Sequence, residues 1–303
     1  MTQPRHFLDF DGIDADTLRA TIDRARTLKG RNGAAPLAGK TLAAIFESPS
    51  TRTRVSFEVA MDELGGKTIT MTAADMQLGR GETIEDTARV LSRYVDAIAL
   101  RTRSHETLLA LAEGASVPVI NALSDRSHPC QLVADVMTYE EHRGPIAGRT
   151  VAWLGDGNNM AATWVQTAAH CGFNLRIACP DAYPPAPEIV AWAKERGADI
   201  EVGTDVAGAV TGADCVVTDT WVSLHDDPAR KGNVSFEPFR VDEAVMAMAA
   251  PDAIFMHCLP AKRGCEVTDA VLDGPQSVVF DEAANRVPAQ KSILLWCLEG
   301  AIP

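Results

Sequence analysis

The sequence is short of positive charge. Its 28 Lys and Arg stand against 41 Asp and Glu, a formal net charge of −13. That surplus disfavours general attraction to nucleic acid or an anionic membrane, so a bound anion must be held by local positive groups. No apolar run approaches the roughly 18 residues that a membrane-crossing helix needs. The start, MTQPRHFLDFDGID, has neither a basic region followed by an apolar one nor an Arg- and Ser-rich amphipathic pattern, and the chain is expected to stay in the cytoplasm. Cysteines number seven, at 130, 171, 179, 215, 258, 265 and 297, with no CxxC pair and no zinc-type spacing. An odd, scattered set fits reduced thiols in a cytoplasm better than a disulfide framework. Internal repeats, low-complexity segments and long charge blocks are also missing.

What remains is an ordinary globular composition, 46% hydrophobic and 23% charged over 303 residues. That is enough for one large domain or two of about 100–200 residues. Short β-rich runs alternate with helical ones. Strands are predicted at 41–46, 68–71, 96–101 and 117–120, with amphipathic runs such as 52–64 and 83–94 following them. The pattern restarts at 150–154, 174–178, 214–218, 253–257 and 277–280. Two such successions predict an α/β chain of two doubly wound parallel-sheet domains. The predicted boundary is a bridging helix over 129–142, followed by the turn RGPIAGR, and the last helix is expected to start near Pro288. In such folds ligands bind outside the carboxyl ends of the strands, so motifs placed there count double.

Several motifs stand at those positions. Ser48-Pro49-Ser50-Thr51-Arg52-Thr53-Arg54 runs from a strand end into a helix. Short hydroxyls, free N–H groups, the positive dipole end and a guanidinium suit a phosphate, while the same residues also suit a plain helix cap. His128-Pro129-Cys130-Gln131 opens the bridging helix, where a His can stay neutral and donate a hydrogen bond, although a lone His is more often structural. Gly155-Asp156-Gly157-Asn158-Asn159-Met160 resembles a dinucleotide-binding turn, but Met160 replaces its last glycine and no ribose-binding acid follows, so dinucleotide binding is rejected. The two Asn could hold a carboxylate through their amides, or cap the helix. Asp219-Thr220-Trp221-Val222-Ser223 offers a carboxylate for an ammonium group, against the reading of a solvated loop Asp. His257-Cys258-Leu259-Pro260 places a Cys at a strand end, where the alternative is inert core. Arg286 could reach an anion or pair with Glu282. Together the clusters describe a cleft between two domains, with a phosphate side in the first and a zwitterionic amino-acid side in the second.

Ser50-Thr51-Arg52-Thr53-Arg54, Asp86-Thr87-Ala88-Arg89-Val90-Leu91, His128-Pro129-Cys130-Gln131, Asp219-Thr220-Trp221-Val222-Ser223, His257-Cys258-Leu259-Pro260 and Phe280-Asp281-Glu282-Ala283, in this order, resemble the aspartate/ornithine carbamoyltransferases. The resemblance covers nearly the whole chain. It implies a carbamoyl phosphate-binding domain over 1–135, an ornithine-binding domain over 136–285, and a C-terminal helix of about 286–303 packing back on the first. It implies carbamoyl phosphate held by Ser50, Thr51, Arg52, Thr53, Arg101, His128, Gln131, Cys258, Leu259 and Arg286, with Gln77 reaching the phosphate of a neighbouring subunit in a trimer with shared sites. Ornithine would lie against Asn159, Asp219, Ser223 and Leu224, and Arg101, His128, Asp219 and Cys258 would carry the chemistry. The product would be citrulline, formed without metal or organic cofactor in arginine biosynthesis, with closure of the domains over both substrates. The alternative is a sibling transferase for an N-acyl-ornithine or putrescine. One departure is Ser223-Leu224-His225, where the ornithine-specific members read Ser-Met-Gly: Leu224 keeps apolar volume, whereas His225 adds bulk and a titratable group.

Overall fold

The computed structural model describes residues 4–30, 34–72, 76, 81–222 and 234–299. The chain divides into two compact units, residues 1–137 with 285–303, and residues 138–284. It passes from one to the other within two helices, Pro129–Arg143 and Val279–Glu299.

In the first unit, β1 (Thr41–Phe46), β2 (Lys67–Thr72), β3 (Ala97–Arg101) and β4 (Val119–Leu123) form a parallel sheet in the order β2-β1-β3-β4. The run Leu42–Phe46 is buried at every position, as expected of a strand covered on both faces, while β2 at the sheet's edge is largely uncovered. Helix α1 (Ala15–Thr27) precedes the sheet, α2 (Thr51–Glu63), α3 (Ile84–Leu91) and α4 (His105–Gly114) connect its strands, and α5 (Pro129–Arg143) leads out of the unit. Asp14, Thr83 and Ser104 cap α1, α3 and α4 through their side chains. Ile45, Ile98, Leu100, Leu108 and Leu111 lie in the core on one face of the sheet.

In the second unit, β5 (Thr150–Leu154), β6 (Asn174–Ala178), β7 (Ile200–Gly203), β8 (Cys215–Thr218) and β9 (Ile254–Met256) form a second parallel sheet in the order β7-β6-β5-β8-β9. Helices α6 (Asn159–Cys171), α7 (Pro187–Glu195) and α8 (Val206–Val210) connect its first strands. Both sheets reverse strand order once, between β1 and β3 and between β5 and β8, so each has one switch point where loops diverge and leave a crevice.

Three elements differ from the sequence expectation. Residues 277–280 are not a strand: Ser277 makes one isolated bridge to Phe255, and a helix begins at Val279. A short β-branched run carries no periodicity that separates strand from helix. The last helix is one element, Val279–Glu299, with Pro288 inside it, and does not start near Pro288. Its buried positions Val279, Glu282, Arg286, Ala289 and Ile293 form a continuous stripe through the proline, so packing overrides the local start signal. Strand β7 was missed because Glu201, Val202 and Gly203 are exposed on the sheet's edge and give no apolar run.

Candidate active site

The first constellation lies at the switch point of the first sheet. Phe46 ends β1 in register with Arg101, which ends β3, and the β3–β4 register slips between Leu100 and Arg101. Glu47 ties the two strand ends together, accepting from the Thr102 hydroxyl (2.7 Å) and the Arg103 N–H (3.0 Å). Beyond Glu47 the chain turns into α2 at Ser50. That residue holds the cap position, yet its hydroxyl makes no cap hydrogen bond and no acidic residue occupies the first turn. The helix start, with N–H groups that no helix satisfies internally, therefore keeps its positive character. An open pocket of about 710 Å³ on this flank is lined by Ser50, Thr51, Arg54, Glu58 and Thr70 among others. Arg52 is half-buried in the first turn of α2.

One turn into the helix, the Thr53 hydroxyl is a junction. It accepts from Arg286 Nη2 at 2.8 Å and, at the long limit, from Arg101 Nη1 at 3.5 Å. Arg286 Nη1 donates to Gln131 Oε1 (2.7 Å), and Gln131 Nε2 donates to Asp135 Oδ1 (2.7 Å), one turn further along α5. Thr53, Gln131, Asp135 and Arg286 are all buried, so an aligned guanidinium is fixed in place by neutral partners and one deep carboxylate. His128, immediately before α5, is also buried. Burial first, then the Arg286 and Arg101 guanidiniums, hold its imidazole well below the ordinary range and keep it neutral at physiological pH. The sequence reading placed the cause at the helix start; burial is the larger one. Cys130 is a different kind of residue. It donates to the Asn121 carbonyl, and burial pushes its thiol up to about 12, which makes it inert core.

The second constellation lies at the switch point of the second sheet. Leu154 ends β5 in register with Thr218, which ends β8. The turn after β5 needs its glycines for reasons unrelated to a dinucleotide. Gly155 has φ +115, and a Cβ on Gly157 would stand 2.3 Å from the backbone of Pro184 and Pro185. Asn158 then caps α6, its Oδ1 accepting from Met160 N–H (2.9 Å) and Ala161 N–H (3.2 Å). Its Nδ2 donates to Asp219 Oδ2 at 2.9 Å. The helix-cap reading of the Asn pair is realised in Asn158, whose amide also holds a carboxylate of the chain itself, that of Asp219. Asn159 is half-buried in the first turn of α6.

Cys258 follows β9 and brings its Sγ to 3.3 Å from Asp219 Oδ1. It is half-buried, unlike Cys130. Leu259 is the one non-glycine among the described residues with a left-handed backbone, φ 58, and its N–H is held by His257 Nδ1 at 2.9 Å. With Nδ1 accepting, the neutral imidazole carries its proton on Nε2, 3.4 Å from buried Glu266 Oε1. The His257 N–H donates to buried Glu282 (2.9 Å). Asp219, His257 and Cys258 offer ligand-type atoms within 4.8 Å of one another, the one such trio among the described residues, and hydrogen bonds to Asn158, Leu259 and each other already engage them.

Of the residues named from sequence, Thr53, Arg101, His128, Gln131 and Arg286 come together in the first unit, and Asp219 and Cys258 in the second. Gln77, Ser223, Leu224 and His225 lie outside the described residues. Sequence reasoning missed Asp135, whose signal is its spacing of four from Gln131 on one helix, and Glu266, which no local pattern marks.

Residues 5–141 match the family model described as "Aspartate/ornithine carbamoyltransferase, carbamoyl-P binding domain", and residues 147–297 match the Asp/Orn binding domain of the same family. The chain belongs to the aspartate/ornithine carbamoyltransferase family. It is 58% identical to the ornithine carbamoyltransferase of Rhodopseudomonas palustris, over 99% of this chain and 98% of the relative. Among solved structures, the ornithine carbamoyltransferase of Pyrococcus furiosus is 45% identical with a TM-score of 0.93, over 99% of this chain and 98% of that one. The anabolic ornithine carbamoyltransferase of Campylobacter jejuni is 41% identical with a TM-score of 0.91, over 97% and 98%. The family's two-domain fold, with two parallel sheets flanked by helices, is the fold of this chain. No helix among the described residues is long and apolar enough to cross a membrane.

Proposed function

We propose that this chain transfers the carbamoyl group of carbamoyl phosphate to the δ-amine of L-ornithine, giving L-citrulline and phosphate. The observation that carries the reading is the pair of half-sites, each at the switch point of its own sheet. One presents a neutral His and two guanidiniums around a hydroxyl. The other presents a carboxylate beside a thiol. The first suits an acyl phosphate, a carbonyl joined to a phosphate, and the second an ammonium-bearing chain.

In this reading Ser50, Thr51, Arg52 and Thr53 cradle the phosphate at the start of α2. Arg101, His128, Gln131, Arg286 and the Cys258–Leu259 backbone hold the carbamoyl end. Asn159, Asp219, Ser223 and Leu224 hold ornithine, and Gln77 completes the phosphate site of a neighbouring copy in a homotrimer. The δ-ammonium first loses a proton in the neighbourhood of Asp219 and Cys258, because only the free amine carries a lone pair. That amine attacks the carbamoyl carbon, and the carbonyl electrons move onto oxygen. Thr53, Arg101 and neutral His128 stabilise the oxyanion as its charge develops. The oxyanion's electrons then re-form the carbonyl as the C–O bond to phosphate breaks, and the leaving phosphate stays in its cradle and takes up the second amine proton, which leaves a neutral ureido group. The activated leaving group and fixed positioning account for the rate.

The free α-amino acid is favoured over an N-acyl-ornithine by Asp219, since an acylated amine carries no charge for that carboxylate. The anabolic relative supports a place in arginine biosynthesis, and seven free cysteines support the cytoplasm. The test is a pair of variants. Arg52→Ala should lower kcat/KM for carbamoyl phosphate by on the order of 3 kcal/mol, about 150-fold, because a charge-assisted hydrogen bond to the anion is removed. Asp219→Asn should raise KM for ornithine while leaving that for carbamoyl phosphate within about twofold. Near-normal carbamoyl phosphate use in the first variant, or an unchanged ornithine curve in the second, contradicts the corresponding half-site.

A further inference from the structure

A helix cap needs only an oxygen, and Asp or Ser serves at that position as well as Asn does. Asn158 uses its oxygen for the cap, taking two N–H groups of α6, and this fixes which way its amide faces. Its NH2 group is then directed at Asp219 Oδ2, 2.9 Å away. The other oxygen, Oδ1, is left to the Cys258 thiol at 3.3 Å and the Thr220 hydroxyl at 3.5 Å. The carboxylate is therefore held at both oxygens by groups from three different segments: the β5–α6 turn, its own loop after β8 and the loop after β9.

We infer that Asn158 is a positioning residue that fixes the plane of the Asp219 carboxylate, and so its aim toward the amine substrate, through the half of its amide that the cap does not use. The inference rests on the reading of Asp219 as the ornithine-binding carboxylate. Turning a carboxylate about its last torsion is soft. An unheld Asp219 would sample orientations that present the wrong oxygen to the ammonium and to Cys258. The turn glycines leave Asn158 little freedom, because Gly157 is packed against the Pro184–Pro185 backbone.

The discriminating variant is Asn158→Asp, which keeps the cap oxygen and places it at a helix start that favours negative charge. Its second oxygen replaces the NH2 group facing Asp219. While the two carboxyls share a proton, the O–H of the variant donates to Asp219 as the amide did. Once that proton is gone, two anions at hydrogen-bond distance repel and Asp219 turns away. KM for ornithine in Asn158→Asp should therefore exceed the wild-type value by about tenfold or more at about pH 8–9, where both carboxyls are ionised, which is the size expected for removing one charge-assisted hydrogen bond, and should approach it at a pH low enough for the pair to share a proton. The wild type should trend the other way, because ornithine sheds its δ-proton as pH rises. Asn158→Ser, a cap without a donor, should raise KM for ornithine at every pH with no such slope. KM for carbamoyl phosphate and Tm should stay close to wild type in both.

A KM for ornithine in Asn158→Asp equal to the wild-type value at about pH 8–9, at unchanged Tm, overturns the inference and leaves a plain cap. A wild-type chain that makes no citrulline overturns the ornithine reading, and this inference with it.

Discussion

His128 is neutral because of where it sits. Burial removes water from the charged imidazolium, and Arg286 and Arg101 repel what charge remains. A neutral imidazole can donate an N–H to a developing oxyanion without titrating near neutral pH, so the pH profile of kcat should show no limb belonging to it. The sign for stability follows from linkage. The unfolded chain binds a proton at His128 near the ordinary value of 6.5 and the folded chain only well below it, so this group's contribution is intact above pH 6.5 and is lost as pH falls below it. Nitrogen-15 spectra of labelled histidine, with the His128 resonances assigned, should show that imidazole still neutral at about pH 5.5, where a model histidine is mostly protonated. A His128 that titrates near 6.5 in the folded chain contradicts this account. The candidate residues themselves were legible because hydroxyl, guanidinium, imidazole and thiol groups announce their chemistry. Asp135 and Glu266 were not, because each acts on another side chain, Gln131 or His257, and only folding brings them together.

Among the elements, the turn from β5 into α6 shows how backbone room decides where chemistry can sit. Gly157 accepts no side chain without moving the Pro184–Pro185 backbone. Replacing it with Ala should destabilise the fold by about 1–3 kcal/mol through overpacking, and disturb Asn158 next to it. Thermal unfolding and ornithine KM measured together check this; unchanged Tm with unchanged KM means that the neighbouring loop yields freely. Eight of the nine strands among the described residues were legible as short apolar runs, and β1, β5 and β6 match in both bounds. Parallel strands buried on both faces write themselves as such runs. Edge strand β7 does not, and the buried stripe of the last helix hides behind Pro288 and an apolar start.

For the molecule as a whole, two α/β units repeat one device: a strand order that reverses, with functional groups on the loops at the reversal. In a chain of net charge −13, an anionic substrate has to be drawn in by a few local cations, a part that the proposed reading gives to Arg52, Arg101 and Arg286. Sedimentation should find a species of about three times the chain's 32.4 kDa, and a monomer that is fully active would remove the shared-site role assigned to Gln77. The fold class was legible from alternation alone, whereas in the proposed reading the choice of amine rests on a few side chains around Asp219 and on the segment that carries His225. The most direct test of the proposed activity is ureido product formation from carbamoyl phosphate with ornithine, N-acetylornithine, N-succinylornithine, putrescine and aspartate offered in parallel. Citrulline from ornithine, with a strong preference over the other four, is the predicted result. Turnover confined to an acylated ornithine, to putrescine or to aspartate would contradict it.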